Sequence, residues 1–321
     1  MEIVKSYKYL GVLFFSNGRF DQHLEAQLAV AKFAINHIYK KIFFFQASNV
    51  DSYFRLFQAV ARSIVCYASQ VWGFHNYDVV EKIFRFFLKK MLRLPGNTPN
   101  YVLYLESGQD PIFVYALKLH WTYILQTFRL QDHRFRKIML EVGIVGEHKW
   151  FKMLRGTAQS LDHWDSFSNF TYEGLKKPFD NLYDCVVLRE RQRLLDQVML
   201  GVYHPTYKTI KFEWGREKYF CDNLSLREIR YILMARSDML PLSQKLWFSQ
   251  ADFDCTFCNL HSAEDGEHFL INCPIWREFR PLSYSCLSFC DIVSGKAGWK
   301  QLAGFISSAL RYRSLLNDEF I

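Results

Sequence analysis

At 321 residues, half of them hydrophobic, the chain can bury a sizeable core, which excludes a disordered class and fits two folded units. Its eight cysteines are few for that length and follow no secretory leader, so a reduced intracellular setting, nucleus or cytoplasm, is expected rather than secretion with a disulfide framework. The net charge of +8 favours an anionic partner, RNA or DNA, over a membrane, because the densest apolar runs, Ile42–Phe45 and Ile64–Trp72, are too short or too polar to span a bilayer.

In chain order, Ser6 to Phe15 reads as a strand with Ser16-Asn17-Gly18 as its turn. Helical periodicity follows from His23 to Ile42 through Leu24, Leu28, Ala31, Ile35 and Ile38. After a turn at Gln46–Asn49, a second helix is expected from Asp51, a candidate cap, to about Tyr67. Its nearly apolar continuation from Ser63 to Gly73 should be buried.

A third helix is expected from Asp78 to Leu94, with Val80, Ile83, Phe87 and Met91 inward. Lys82, Arg85, Lys89 and Arg93 recur at spacings of three and four, so they share one face. That stripe is either a solvated helix face or a contact surface for a phosphate backbone. The run from Pro95 to Pro99 should end the helix.

Residues 101–155 read as mostly helical. The stretch 156–184, with Gly156, Gly174, Pro178 and several serines, reads as a flexible connection or a domain boundary. A helix is expected from Leu182 to Val202, a strand or hairpin from Thr209 to Phe220, a short helix from Leu226 to Ala235, and a final amphipathic helix over 299–316. His120, His133, His148 and His163 are scattered among aromatics and read as ordinary surface or half-buried residues.

The most specific pattern is Cys255-Thr256-Phe257-Cys258 followed by His268 and Cys273, which spells Cys-x2-Cys-x9-His-x4-Cys. Three thiolates and one imidazole suit tetrahedral zinc, and four protein ligands leave no place for substrate, so the ion should be structural. Iron is the chemical competitor for such soft donors, calcium and magnesium are disfavoured, and the bland alternative is buried thiols beside a surface histidine. His261 is a strained second choice for His268. Cys286 and Cys290 have the i,i+4 spacing of a ligand pair, yet they are expected to be buried thiols because the quartet upstream is complete. The module is acidic, with Asp252, Asp254, Glu264, Asp265, Glu267 and Glu278, which makes it an awkward sole binder of nucleic acid.

This spacing, followed by Cys273-Pro274-x-Trp276-x-x-x-Arg280, resembles the C-terminal zinc-knuckle region of reverse transcriptases from LINE-type (non-LTR) retrotransposons. Tyr7-Lys8-Tyr9-Leu10-Gly11-Val12 resembles the strand pair after the polymerase palm. The segment from Tyr67 to Gly73 resembles the family's Tyr-Gly-Ser-Glu-x-Trp-Gly in the thumb, with Ala68 in place of glycine and Gln70 in place of the acid. Glu81-Lys82-Ile83, Phe87-Leu88-Lys89 and Thr98-Pro99-Asn100 resemble the next helix and its exit. Met234 to Leu242 takes the place of the lead-in to the knuckle but lacks the family's Arg-Leu-Gly or Arg-Thr-Gly. The likeness is strong at both ends and vague between about 100 and 225.

The resemblance implies a polymerase that copies RNA with paired aspartates holding magnesium. This sequence has no Asp-Asp pair, so no residue qualifies as a polymerase catalyst and magnesium is not expected. The expected fold is mainly α. It comprises a residual strand or hairpin over 1–22, a thumb-like helical bundle over 23–160, helices over 180–245 and a zinc-knuckle-like module with a terminal helix over 246–321. The expected function is binding of RNA or an RNA/DNA template–primer, or of duplex DNA, through Lys82, Arg85, Lys89 and Arg93, with the rest of the polymerase as a further partner. An inert folded remnant and a protein-interaction adaptor with a structural zinc site are the alternatives the same residues allow.

Overall fold

A computed structural model describes residues 4–45, 50–243 and 254–319. The expected turn at Gln46–Asn49, residues 246–253 of the C-terminal module with Asp252, and the side chain of Ile42 lie outside the described residues. The described fold is mainly helical, with a short N-terminal β-hairpin and a Cys/His cluster near the C-terminus. None of its helices is long and apolar enough to cross a membrane.

The hairpin pairs β1 (Ser6–Tyr9) antiparallel with β2 (Val12–Phe15), Tyr9 facing Val12. The single strand expected over Ser6–Phe15 is therefore folded back on itself at Leu10–Gly11, and the expected turn at Ser16–Gly18 follows it, with Gly18 N donating to Phe15 O at 2.9 Å. Leu10 and Gly11 both have positive φ, 45° and 81°, as a two-residue loop between right-twisted strands requires. Leucine in that position hides the turn from the sequence. The Tyr67 hydroxyl steadies it by donating to the Leu10 carbonyl oxygen at 2.7 Å.

The first helix, α1 (Asp21–Phe45), starts two residues before His23, with Asp21 held by Arg19 Nε at 2.8 Å. Next, α2 (Val50–Leu56) runs through a π-helical turn at Phe57–Arg62 into α3 (Ser63–Val65), and Asp51 lies in the first turn rather than at the cap. The chain breaks at Ala68, where φ is 54°, before α4 (Ser69–Trp72). Burial of the apolar segment is accordingly partial: Val65, Cys66, Ser69, Trp72 and Gly73 are buried, whereas the break leaves Tyr67, Gln70 and Val71 exposed.

There follow α5 (Asp78–Met91), α6 (Asn100–Ser107), α7 (Ile112–Phe128), α8 (Phe135–Val145) and α9 (Lys149–Ser160). Then α10 (Tyr172–Leu200) occupies much of the stretch expected to be a connection. Leu175, Phe179, Leu182 and Val186 are buried at helical spacing on both sides of Pro178, and that burial outweighs the proline's lost hydrogen bond. The strand expected over Thr209–Phe220 is absent: Pro205 opens α11 (Pro205–Ile210), and a 3-10 turn occupies Lys218–Phe220. The chain closes with α12 (Leu226–Arg236), α13 (Phe289–Val293) and α14 (Trp299–Glu319).

Two compact units interleave along the chain, residues 1–45, 52–87 and 110–192 forming one and residues 46–51, 88–109 and 193–321 the other. The first unit has a core of Phe113, Leu117, Trp121, Phe151, Phe167, Phe179 and their aliphatic neighbours. Its α7 N-terminus is closed by buried Glu81, whose carboxylate accepts from Phe113 N at 2.8 Å and so satisfies an otherwise orphaned helix N–H. Close approach of α4 to α7 explains Gly73, since a Cβ there would lie 2.4 Å from the Ala116 carbonyl oxygen.

The second unit is built around Arg236 of α12, only 2% exposed. Its guanidinium bonds both oxygens of fully buried Glu106 at 3.0 and 3.2 Å and the Val293 carbonyl oxygen at 2.9 Å, and meets Glu217 at 3.2 Å. Tyr219 donates its hydroxyl to the same Glu106 carboxylate. Burial alone would lower the Arg236 pKa, but the surrounding carboxylates outweigh it and raise the value.

Candidate metal centre

An isolated bridge between Asp254 and Ala263 folds the Cys255–Cys258 loop into a tight turn, with Cys255 N donating to Ser262 O at 2.8 Å. The chain then enters a short π-helical segment, His268–Asn272, begun by the Asp265 carboxylate accepting from His268 N at 2.6 Å. His268 thus leads the segment, and Cys273 follows its last residue in extended conformation. The four side chains predicted from spacing converge here: their donor atoms all lie within 4.8 Å of one another. Cys255 Sγ is 3.9 Å from Cys273 Sγ, and Cys258 Sγ is 3.5 Å from His268 Nε2. Cys255, His268 and Cys273 are buried, and Cys258 is half-buried. Such a group can chelate a divalent ion.

Burial pushes the Cys255 thiol up and the Cys273 thiol up to about 12, with the neighbouring thiols adding to the effect. Cys255 and Cys273, with sulfurs 3.9 Å apart, ionise together only when a cation shares their charge. His261, the second choice as a ligand, is exposed at φ 48° and outside the group.

The surroundings fix the ligands in place. Arg280 donates to Leu270 O at 2.8 Å and to Cys273 O at 2.6 Å, which holds the segment that carries His268 and Cys273. Trp276, wholly buried, packs between Phe257 of the turn and Phe269 of the helical segment, with ring centroids 5.6 and 5.7 Å away. What spacing missed is a clamp to the final helix. Arg313 of α14 forms a two-pronged pair with fully buried Glu264 at 2.8 and 2.7 Å and lies over the Phe257 ring. Burial raises the Glu264 pKa, but hydrogen bonds from Arg313 and Ser243 outweigh it and leave the carboxyl lowered, hence ionised. Forty-nine residues separate the pair, and no local pattern announces it.

No family model, curated protein or solved structure matches the chain.

The basic residues of α5 are arranged less simply than their spacing implied. Lys82 is exposed, and Arg85 folds back on the Asp78 carboxylate and carbonyl. Lys89 donates to Gly96 O at 2.6 Å and so secures the exit loop. The helix ends at Met91, before the proline run, because Arg93 takes the left-handed conformation at φ 51° while Leu94 N reaches Lys89 O at 2.8 Å. This is a Schellman-type end, which turns Arg93 off the helical register shared by the other three.

The remaining candidates separate. His120 is buried with Nδ1 at 2.6 Å from Gln70 O, and burial lowers its pKa to about 4. His163 places Nε2 3.1 Å from Cys185 Sγ, whereas His133 and His148 are exposed. Cys286 is exposed and Cys290 half-buried, which corrects the expectation of buried thiols: the 3-10 turn at Leu282–Cys286 turns Tyr284 inward instead.

Proposed function

We propose that the chain is the post-palm, thumb and zinc-knuckle part of a LINE-type reverse transcriptase. In this reading it binds RNA or a template–primer without performing polymerase chemistry. The observation that carries the reading is the backbone at the two ends of the Tyr67–Gly73 segment. The family pattern has glycine at both places. Here position 68 lies at φ 54°, where glycine is favoured, and position 73 has no room for a Cβ. A thumb turn of the same shape accounts for both glycines, with Ala68 occupying the first under strain.

The metal is zinc in this reading. Tetrahedral zinc with bonds of about 2.3 Å to sulfur and 2.05 Å to nitrogen implies edges of roughly 3.8 Å between sulfurs and 3.6 Å between sulfur and nitrogen. Two of the six edges, 3.9 and 3.5 Å, are of that length, and all six are within 4.8 Å. With four protein ligands the ion is structural, holding the chain end rigid rather than activating a substrate.

Nucleic-acid contact is assigned to Lys82, Arg85, Lys89 and Arg93, with the acidic metal module as scaffold. The test is equilibrium binding of the zinc-replete chain to structured RNA and to duplex DNA across a salt series. Lys82→Glu is the variant, because reversal at Arg85 or Lys89 would also break their bonds to Asp78 and Gly96. Binding should weaken steeply with salt, and Lys82→Glu should weaken it and flatten the log–log salt slope by about one contact. Absence of binding at low salt, or an unchanged slope in Lys82→Glu, would refute the assignment.

A further inference from the structure

Away from the metal centre and the basic stripe, the first unit holds a thiol and an imidazole in direct contact. His163 Nε2 lies 3.1 Å from Cys185 Sγ, and both side chains are half-buried, so the sulfur is shielded by protein yet open to a small reagent. Twenty-two residues separate the two in sequence, and the packing of α10 against the end of α9 joins them.

Both partners are held in place. The end of α9 is a Schellman motif: Asp162 takes the left-handed conformation at φ 56°, Asp162 N donates to Gln159 O at 3.2 Å, and His163 N donates to Ala158 O at 2.8 Å. The His163 carbonyl oxygen accepts from Ser166 Oγ at 2.6 Å, so both backbone groups of His163 are engaged. Next along the chain, Trp164 stacks on buried Phe167 with ring planes 13° apart. On the other side, Cys185 stands in the middle of α10, between Leu182 and Val186, both fully buried.

A thiol attacks as its thiolate, and a base within hydrogen-bond reach of the sulfur supplies that form. The other described thiols outside the metal centre are placed differently. Cys290 is half-buried like Cys185, but its sulfur meets the Thr209 hydroxyl at 3.4 Å. Cys221 and Cys286 are exposed, and burial pushes the Cys66 thiol up to about 12.

We propose that Cys185 is a site of reversible S-thiolation, exchanging with low-molecular-weight disulfides with His163 as its base. The Cys185 S–H proton passes to His163 Nε2, and Sγ bonds one sulfur of the reagent as the reagent's disulfide bond breaks. The departing sulfur leaves with that bond's electron pair and takes the proton from the imidazolium. The products are a mixed disulfide on Cys185 and one free thiol, and excess thiol reverses the exchange. This site lies outside the nucleic-acid reading and does not rest on it.

The test treats the zinc-replete chain at pH 7 with bis(2-hydroxyethyl) disulfide and follows each cysteine by peptide mass spectrometry. An uncharged probe keeps Arg189, which donates to Ser160 Oγ at 3.4 Å, and the exposed carboxylates of Asp162, Asp165 and Asp184 from biasing the rates. Cys185 should form the mixed disulfide at least about tenfold faster than Cys290, and faster than the more exposed Cys221 and Cys286. His163→Gln should remove that advantage, and dithiothreitol should return the unmodified chain. Cys66, buried in the same unit, should stay unmodified in both proteins, which reports that the unit remains folded. Wild-type Cys185 reacting no faster than Cys290 would overturn the proposal without any variant. An advantage that survives His163→Gln would overturn the role of His163.

Discussion

Arg236→Met removes the cation around which the second unit is built. The methionine fills most of the volume but leaves Glu106, fully buried and hydrogen-bonded by the Tyr219 hydroxyl, without its guanidinium partner, and it takes from Glu217 a cation 3.2 Å away. Water cannot reach Glu106, so the loss is that of breaking a buried ion pair from one side, about 3–5 kcal/mol. The loss should not be additive. In Glu106→Gln/Arg236→Met no uncompensated charge remains, so at least about 2 kcal/mol should return. The readout is hydrogen exchange of the α12 amides across a urea series, which measures opening of that unit without assuming that both units unfold together. A single variant within about 1 kcal/mol of wild type, or a double variant no better than the single, would refute the reasoning.

Other perturbations give opposite signs in the two units. Asp238, held at φ 54° and accepting from Thr206 N at 3.0 Å, has its pKa raised by burial to about 6. The folded form therefore prefers the protonated acid, so this contribution is present below about pH 4 and is lost as pH rises to 6, up to about 3 kcal/mol. Asp238→Asn should abolish that fall in a pH series of α12 exchange. His120 behaves conversely in the first unit. Burial lowers its pKa to about 4, so its contribution is present above about pH 6.5 and lost as pH falls through 4. His120→Gln should flatten the acid limb of unfolding for α7. At the turn that Ala68 makes before α4, Ala68→Gly should stabilise by about 1 kcal/mol by relieving the left-handed strain, whereas Gly73→Ala should destabilise by several-fold more, both measured by urea denaturation.

The parts of this structure that were legible in the sequence are those specified locally. The Cys-x2-Cys loop and its His and Cys partners fall within nineteen residues, and their spacing carries the geometry. The inner stripe of α5, Val80, Ile83, Phe87 and Met91, is buried as its periodicity required. The basic stripe could be read as a pattern but not as an environment, because a spacing does not say that Arg85 bonds Asp78 or that Arg93 leaves the helix.

What failed depended on tertiary context. Pro178 and Gly174 signalled a break, and the buried stripe of α10 overrode them. Leu10 concealed a hairpin turn that its conformation, not its residue type, defines. The two ion pairs that organise the second unit, Glu106–Arg236 and Glu264–Arg313, join residues 130 and 49 positions apart. No single-sequence period reaches that far.

The metal centre is tested most directly by elemental analysis of the purified chain, beside Cys273→Ser and Arg280→Ala, with cobalt substitution as a probe of geometry. One zinc per chain is expected, with tetrahedral cobalt bands and sulfur-to-metal charge transfer. Cys273→Ser should lose the metal and the local fold together, and Arg280→Ala should weaken zinc about 10–100-fold by releasing Cys273 and Leu270. A folded chain that retains no metal after purification in zinc, or one whose metal content is indifferent to Cys273→Ser, would contradict the assignment.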